Sequence, residues 1–194
     1  MMNKMNRSIG FTLIEVLVAL AILVSLTAIG VPSLMEFTVK LKVDNEISHL
    51  YRLLLSARNA AINTGKFTTV CPLNDENYCT NDWAQSIYVF TDTNDNKRFE
   101  PNDNEHIIIM KEAIDEQDKL QYGKNRNGVT YASTGHLSGW GQNGTFKYCP
   151  NNHAEQSRGI IVATSGRLYK SYQSQSGKHK GKDKNRSGKI ILCN

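Results

Sequence analysis

The chain has 194 residues, of which 40% are hydrophobic and 21% charged, with a formal net charge of +5. Its length allows one domain of about 150 residues with its own core, in addition to a shorter N-terminal segment. The charge is uneven. Residues 158–194 carry nine basic side chains and one acid, a net charge of +8, whereas residues 11–157 carry −5. The C-terminal fifth is therefore a distinct electrostatic segment.

The first element in the chain is an apolar run long enough to cross a membrane. No charged residue occurs between Val16 and Met35, and about 20 helical residues cover roughly 30 Å, the thickness of the hydrocarbon core. Residues 1–10 contain Lys4 and Arg7 and no acid. The positive-inside rule predicts that they stay in the cytoplasm while the C-terminal part is exported. No small-residue cleavage site of the secretory type follows the run.

Glu15 lies one turn inside this predicted membrane helix. A carboxylate there costs about 2.5–3.5 kcal/mol on insertion scales, so it needs a partner. Cleavage after Gly10 would create an α-amine at Phe11, four residues from Glu15 and on the same helix face. The amine of a neighbouring subunit is the alternative partner. The other interpretation of the whole segment is an uncleaved signal anchor in which Glu15 lies at the membrane interface.

Residues 10–15 read Gly-Phe-Thr-Leu-Ile-Glu and resemble the type IV pilin family, which includes the pseudopilins of type II secretion. The resemblance implies cleavage between Gly10 and Phe11 by a prepilin peptidase, followed by N-methylation of Phe11. It also implies that Glu15 helps to dock the subunit among other pilins in a helical filament. Pro32 matches the family's helix-kinking proline.

The resemblance implies three segments with different locations. Residues 1–10 form a leader peptide, residues 11–37 a transmembrane assembly helix in the bacterial inner membrane, and residues 38–194 a periplasmic domain that ends in the basic segment 158–194. After assembly, the subunit belongs to a filament that is either a surface pilus or a pseudopilus.

An apolar stripe continues the helix beyond the membrane, and Gly65 predicts its end. A single helix of about 50 residues would be roughly 75–80 Å long. Residues three and four apart form the stripe: Val43, Ile47, Leu50, Leu54, Ala57 and Ala61. Short strands should follow the helix. The predicted strands are Lys66–Cys71, Ser86–Thr91, His106–Lys111, Gly128–Tyr131, Gly144–Cys149, Gly159–Thr164, Arg167–Tyr172 and Lys189–Cys193.

The predicted fold class is α+β, with a long N-terminal helix packed on one or two antiparallel β-sheets, as in pilins and pseudopilins. The runs Ile107–Ile109 and Ile160–Ala163 are apolar enough for central strands. Ser165-Gly166 predicts the turn of a hairpin.

Four cysteines, Cys71, Cys79, Cys149 and Cys193, allow three pairings. An exported domain lies in an oxidising compartment, which favours two disulfides. We favour a local Cys71–Cys79 bond and a Cys149–Cys193 bond that holds the C-terminal segment, worth about 3–4 kcal/mol in the chain-entropy model. Zinc is the alternative, but the C-x7-C spacing fits poorly with the usual ligand pairs.

The stretch from Asp92 to Asp103 has two interpretations. Oxygen-bearing side chains at Asp92, Asn94 and Asn96, with Asp103 at position 12, are similar to an EF-hand calcium loop. Lys97 occupies the position of the required glycine. The alternative is a polar connection between two strands, because Asn and Asp favour turns.

Residues 165–170, Ser-Gly-Arg-Leu-Tyr-Lys, resemble the C-terminal half of the GspH/FimT/FimU group of minor pilins and pseudopilins, together with Tyr148-Cys149 and residues 158–162. In the FimT branch, a Gly-Arg-x-Arg motif binds DNA during natural transformation. Gly166 and Arg167 match that motif, whereas Tyr169 stands in place of the second arginine and the next base is Lys170.

Every second residue from 178 to 186 is basic. The residues between them carry one acid, Asp183. An extended chain would place these side chains on one side, where they could follow a phosphate backbone while Tyr169 and Tyr172 stack on bases. The predicted DNA-binding residues are Arg167, Lys170, Lys178, Lys180, Lys182, Lys184 and Arg186. The alternative is a solvated surface loop.

The sequence does not predict an enzyme. It has no nucleophile elbow and no phosphate loop, and its five histidines are dispersed. We predict no cofactor and no resident metal. The leading interpretation is a minor pilin or pseudopilin that assembles at or near a filament tip. The second is a DNA receptor for natural transformation. The alternative to DNA binding is a GspH-like pseudopilin that acts only in type II protein secretion.

Overall fold

The structure is a computed structural model that describes residues 12–175, 179 and 181–193. It divides into two compact units, the first ending at Thr38 and the second beginning at Val39. The first unit contains the beginning of one long helix. The second contains the rest of that helix and all of the described strands.

The long helix, α1, spans Leu13–Thr64 and has 52 residues, which confirms the prediction of one helix of about 50. Pro32 lies inside this helix and does not end it. Gly65 follows with φ +70°, and its N–H donates to the carbonyl of Ala61 over 3.0 Å. A left-handed glycine after the last turn is a common C-terminal cap, since it lets an N–H satisfy an unpaired helix carbonyl.

The predicted apolar stripe is the face of α1 that packs into the core of the second unit. All six predicted residues of the stripe are buried, and Leu53 joins them. The stripe contacts apolar side chains of both large sheets, among them Val89, Phe146 and Ile160. This burial is the main source of stability for the second half of α1, because helix propensity alone contributes little.

The first sheet has four antiparallel strands in the order β3-β2-β1-β5. The strands are β1 Thr68–Pro72, β2 Ile87–Thr91, β3 Ile107–Lys111 and β5 Val129–Tyr131. The prediction that Ile107–Ile109 forms a central strand is wrong. This run lies in the edge strand β3, where Ile107, Ile108, Ile109 and Met110 are 38–49% exposed. An apolar run identifies a strand but not whether a neighbour covers it.

The second sheet also has four antiparallel strands, in the order β4-β6-β7-β8. They are β4 Lys119–Tyr122, β6 Gly144–Cys149, β7 Arg158–Val162 and β8 Leu168–Lys170. Strand β7 is central, and a turn at residues 163–167 joins it to β8, both as predicted. Strand β4 was missing from the predicted set because its four residues, Lys-Leu-Gln-Tyr, give only two apolar positions between turn-forming stretches.

A small two-stranded sheet pairs β9 Tyr172–Gln173 with β10 Asp183–Lys184. The predicted strand Lys189–Cys193 is wrong, since only a single bridge joins Ile190 to Lys184. Ile191 is 2% exposed, and a Cβ added to Gly159 would lie 3.2 Å from its Cδ1 atom. This segment therefore packs against β7 rather than adding a strand to the sheet. Short 3-10 turns occur at Pro101–Asp103 and Ala154–Gln156.

An aromatic cluster lies in the core beside the stripe of α1. The ring centroid of Phe146 is 4.8 Å from that of Trp83 and 4.0 Å from that of Tyr122. Trp83 is 1% exposed, and its indole N–H donates to the carbonyl of Arg126 over 2.7 Å. Burial of such an indole requires a hydrogen-bond partner, which the loop after β4 supplies.

Two disulfides join Cys71 to Cys79 and Cys149 to Cys193, the pairing that the sequence favoured. The first joins Cys71 of β1 to a cysteine eight positions later. The second spans a sequence separation of 44 and attaches the C-terminal segment to the end of β6. All four cysteines are therefore used in disulfides.

Candidate functional site

The start of α1 is held by a reciprocal capping box between Thr12 and Glu15. The Glu15 N–H donates to Thr12 Oγ1 over 3.3 Å, and Glu15 Oε2 accepts from both the N–H and the hydroxyl of Thr12, each over 3.1 Å. The Thr-x-x-Glu spacing that predicts such a cap is visible in the sequence. Glu15 thus has a partner in its own chain, besides the amine predicted above. The predicted processing residues Gly10 and Phe11 lie outside the described residues.

The first part of α1 presents apolar side chains all around its surface. Within the first unit the large apolar side chains are exposed, from 45% at Val16 to 79% at Leu13. By length and composition, α1 is apolar enough to cross a membrane. A helix that is apolar on every side needs lipid or other helices around it, because water solvates such a surface poorly.

The turn between β7 and β8 presents Arg167 to solvent. Gly166 has φ +71°, and its N–H donates to the carbonyl of Ala163 over 2.8 Å. Any Cβ at this position would clash with the carbonyl oxygen of Gly135. The turn therefore requires glycine for two reasons, its left-handed backbone and the close approach of the neighbouring loop.

Arg167 and Lys170 do not form one phosphate-binding pair. They are three residues apart, and alternation along an extended chain places them on opposite faces. The Lys170 ammonium lies 5.4 Å from the ring centroid of Tyr51 on α1. Arg167 belongs to the other face with Tyr169, which pairs with Ile161 on the side of the sheet away from the core.

Within the described residues 181–193, the basic C-terminal segment does not follow the single extended ribbon predicted from its period of two. Gly181 and Gly188, with φ +84° and +77°, turn the chain before and after β10. Asp183 is 5% exposed and accepts a hydrogen bond from the Ser171 hydroxyl, which anchors the middle of the segment. Lys182 and Lys184 flank this anchored residue within a hairpin. Lys178 and Lys180 lie outside the described residues.

Arg186 is brought to the face that carries Tyr169. Its guanidinium carbon lies 4.2 Å above the centroid of the Tyr169 ring, a cation–π contact. Tyr169 occupies the position where the DNA-binding motif has its second arginine. A guanidinium from elsewhere in the chain therefore lies directly over the residue that replaces it.

The Asp92 carboxylate is occupied by hydrogen bonds within its own loop. It is fully buried and accepts from the Thr69 hydroxyl over 2.7 Å and from the N–H groups of Asn96 and Lys97, each over 3.0 Å. Burial raises the pKa of Asp92 above its ordinary value, although these hydrogen bonds act in the opposite direction. Asp92 therefore shapes the turn after β2.

Glu105 closes the other end of the same loop. It is 4% exposed and accepts from the N–H groups of Thr93 and Glu100, each over 2.8 Å. Among the residues that the structure describes, no three His, Cys, Asp or Glu side chains come together as a metal site. The arrangement agrees with the polar connection between strands and not with the EF-hand interpretation of Asp92–Asp103.

A residue that the sequence analysis missed is Trp140, whose side chain is fully exposed in the loop between β5 and β6. The sequence does indicate this residue, because residues 139–141 read Gly-Trp-Gly. That order places a large aromatic residue in a segment unsuited to a strand or helix.

The long helix packed on antiparallel sheets is the fold of pilin-like filament subunits. Residues 46–166 match the family model described as Type II transport protein GspH, and residues 5–31 match the prokaryotic N-terminal methylation motif. The chain therefore belongs to the GspH family of pseudopilins. This family consists of structural proteins and not enzymes.

The methylation motif implies processing by a prepilin peptidase, and the family implies assembly with other pilins. The motif and the apolar helix are consistent with an inner-membrane location before assembly.

Two crystal structures of one minor pilin share this fold at low sequence identity. The type IV minor pilin FimU of Pseudomonas aeruginosa strain PAO1 is 16% identical, with a TM-score of 0.54, over 69% of this chain and 91% of that chain. A second crystal form of FimU gives 15% identity and a TM-score of 0.51, over 66% and 90% of the two chains. The minor pseudopilin EpsH from the type 2 secretion system of Vibrio cholerae is 14% identical, with a TM-score of 0.45, over 66% and 95%. No curated protein matches the chain.

Proposed function

We propose that the chain is a minor subunit that assembles at or near the tip of a type IV pilus or a type II secretion pseudopilus. The observation that carries this proposal is the exposed apolar surface of the first part of α1, with a carboxylate at its start. In the proposal, residues 1–10 are removed, residues 11–37 form the assembly helix, and residues 38–194 form the periplasmic domain.

The assembly helix exchanges lipid for other helices when the subunit enters the filament. Glu15 must then be partnered, because a charged carboxylate in apolar surroundings is costly. Both hydrogen bonds that Thr12 donates are accepted by the Oε2 atom of Glu15. A carboxylate has about four acceptor positions, so Oε1 can accept the N-terminal amine of Phe11 from the same or a neighbouring subunit.

Variants of Glu15 and Thr12 distinguish the role of Glu15 in capping the helix from the role of its negative charge in assembly. Glu15→Gln preserves the capping box, since Gln serves at that position, but it removes the negative charge. We expect this variant and Glu15→Ala to be cleaved normally and to be absent from sheared filaments. Thr12→Ala keeps the charge and should still be incorporated. Normal incorporation of Glu15→Gln would reject amine pairing as the assembly role of Glu15.

A second candidate function is DNA binding by the periplasmic domain, and the contact between Arg186 and Tyr169 specifically favours it. Together with exposed Arg167, this contact presents two guanidinium groups and an aromatic ring on one face of the second sheet. Guanidinium groups bind phosphate in a bidentate manner, and aromatic rings stack on bases. A subunit with this property would act as a DNA receptor during natural transformation. Without it, the subunit would act only in filament assembly for pili or protein secretion.

Salt dependence tests the DNA proposal. With about six phosphate contacts, the affinity for DNA should fall about thousandfold between 50 and 200 mM salt. Arg167→Gln and Arg186→Gln should each weaken binding and reduce the salt slope by about one. Lys170→Gln, on the opposite face, is the matched control and should have the smaller effect. Equal effects of all three substitutions would reject the proposed face, and no binding at low salt would reject DNA binding altogether.

A further inference from the structure

Trp140 is fully exposed, with a relative exposure of 103%, whereas Trp83, the other tryptophan of the chain, is 1% exposed. Glycines flank Trp140 on both sides, so the side chain projects from a loop without neighbours in sequence that could shield it. Tryptophan is enriched among the residues that dominate binding energies, because it offers a large, rigid contact surface.

The loop that carries Trp140 is fixed at its base. Gln142 Oε1 accepts from the Thr130 N–H over 2.8 Å, and its amide nitrogen donates to Ser138 Oγ over 3.0 Å. The Tyr122 hydroxyl also donates to the carbonyl of Gln142. A Cβ on Gly139 would lie 2.9 Å from the Gln142 amide nitrogen, so the Gln142 side chain packs closely against Gly139. A fixed base reduces the entropy lost when the exposed ring is bound.

The sequence around Trp140 is basic, and one basic side chain, Arg126, contacts its loop. No acidic residue occurs between Asp118 and Glu155, and four basic residues do: Lys119, Lys124, Arg126 and Lys147. Arg126 reaches the loop itself, where its Nη1 atom donates to the carbonyl of Asn143 over 2.5 Å. Its guanidinium carbon also lies 6.0 Å from the ring centroid of Tyr122. The Arg126 guanidinium beside the Trp140 loop favours a polyanion over a neutral or basic protein surface as the ligand.

The Trp140 loop is seated on the turn that carries Arg167. The Leu137 N–H donates to the carbonyl of Thr164 over 3.1 Å, and the Gly135 carbonyl is the atom that excludes a side chain at Gly166. Arg58 of α1 donates to the same Gly135 carbonyl over 2.9 Å. The two loops thus form one continuous end of the domain, so a bound chain molecule can contact both.

We propose that Trp140 stacks on an unpaired base of single-stranded DNA while Arg126 binds an adjacent phosphate. This inference rests on the DNA-binding function proposed above and adds its substrate class. An aromatic side chain within a basic surface is the combination that binds single strands, since every base offers a flat face. The bases of a duplex are already stacked on each other, so an isolated ring on a loop has little access to them.

Tryptophan fluorescence tests this proposal directly, because buried Trp83 provides an internal reference. The full chain, in neutral detergent micelles at low salt, is titrated with an oligothymidylate and, separately, with a duplex of mixed sequence. We expect the oligothymidylate to quench the emission of one tryptophan in a saturable way. Trp140→Ala should abolish this quenching and weaken oligothymidylate binding by roughly 5- to 150-fold. Trp140→Phe, which keeps an aromatic ring, should recover part of that loss.

The outcomes distinguish this inference from the function on which it rests. If Trp140→Ala binds the oligothymidylate as tightly as the unaltered chain, the role of Trp140 is rejected while DNA binding stands. Binding of the duplex with no binding of the oligothymidylate would reject single strands as the substrate class. If neither probe binds the unaltered chain at low salt, both proposals are rejected, and Trp140 is then a contact for a protein partner.

Discussion

The ammonium group of Lys42 lies 2.8 Å from the carboxylate of Asp118 and joins α1 to the loop before β4. The Tyr148 hydroxyl donates to the same carboxylate, and the Asn151 N–H donates to its other oxygen over 2.8 Å. Burial favours neutral Asp118, but the hydrogen bonds from Lys42, Tyr148 and Asn151 outweigh burial, so the pKa of Asp118 lies below its ordinary value. Burial likewise acts to lower the pKa of Lys42, yet its two aspartate partners raise it.

Asp118→Asn should destabilise the domain because it removes one of the two charged partners of Lys42 and the charged partner of the buried Tyr148 hydroxyl. Breaking a fully buried pair costs about 3–5 kcal/mol, and we expect about 2–3 kcal/mol here because the Lys42 side chain remains 40% exposed. The free energy of unfolding can be followed through the fluorescence of Trp83. Asp115→Asn is the matched control, since Asp115 also contacts Lys42 but is 49% exposed. A comparable loss in both variants would contradict the importance of burial.

The same pair predicts a pH dependence. The pKa of Asp118 is lowered in the fold, so its contribution to stability is complete above its unfolded value of about 3.9 and is lost as the pH falls through the lower folded value. The pKa of Lys42 is raised, so its contribution is complete below about 10.4 and is lost as the pH rises through the higher folded value. The stability difference between the unaltered chain and Asp118→Asn should therefore be constant from about pH 5 to 9 and shrink in stronger acid. A difference that grows below pH 4 would be incompatible with the direction of the shift.

Gly166→Ala should be more destabilising than Gly141→Ala. Both glycines have positive φ, +71° and +75°, where a side chain costs about 1–2 kcal/mol. Only Gly166 also approaches a backbone carbonyl, whereas nothing lies within 4 Å of a Cβ built on Gly141. We expect a loss above about 2 kcal/mol for Gly166→Ala, measured by denaturant unfolding. Equal losses would show that the Gly135 loop moves aside at no cost.

The exposed edge strand β3 predicts self-association at high protein concentration. Unpaired strand edges with apolar side chains are templates for pairing with another chain. Met110→Lys, at a position that is 49% exposed, should reduce association measured by light scattering and change the free energy of unfolding by no more than about 0.5 kcal/mol. Leu55→Lys on α1, where Leu55 is 37% exposed, removes apolar surface away from a strand edge. If both variants reduce self-association equally, the cause is exposed apolar surface in general and not the unpaired edge of β3.

Removal of the Cys149–Cys193 disulfide should release the basic C-terminal segment. The chain-entropy model gives a loss of about 4 kcal/mol for a loop of this length and about 2.5 kcal/mol for the Cys71–Cys79 loop. With both members of a pair replaced by Ala, trypsin should cut after Lys182, Lys184 or Arg186 faster in the Cys149/Cys193 variant only. Faster cleavage in both variants would mean global unfolding and not local release.

Regular patterns made the helix and most strands predictable. The stripe from Val43 to Ala61 repeats over five turns, and a signal of that length leaves little ambiguity between helix and strand. Strand β4 was not predictable in the same way, because four residues give no usable period. The position of β3 at an edge depends on the strands that pair with it, which is a property of topology and not of the local sequence.

The candidate sites were predictable only where a residue acts through its immediate neighbours. Glu15 has its capping partner three residues away, so the sequence contains the whole arrangement. The contact between Arg186 and Tyr169 joins residues on different hairpins, so it cannot be predicted from their spacing in the sequence. The lysine ribbon was predicted from alternation alone, which does not reveal the buried Asp183 or the left-handed Gly181 among its described residues.

If the domain is exported to the periplasm as proposed, the unequal spans of the two disulfides set an order of events. The partner of Cys71 emerges eight residues later, whereas Cys149 is followed by its partner after 44 residues. If the chain emerges at the rate of synthesis, this second interval is roughly 2–9 s. During that time Cys149 is a free thiol in an oxidising compartment with strand β6 already available for pairing. An early Cys71–Cys79 bond removes two competing thiols before Cys149 appears, so the local disulfide protects the correct formation of the distant one.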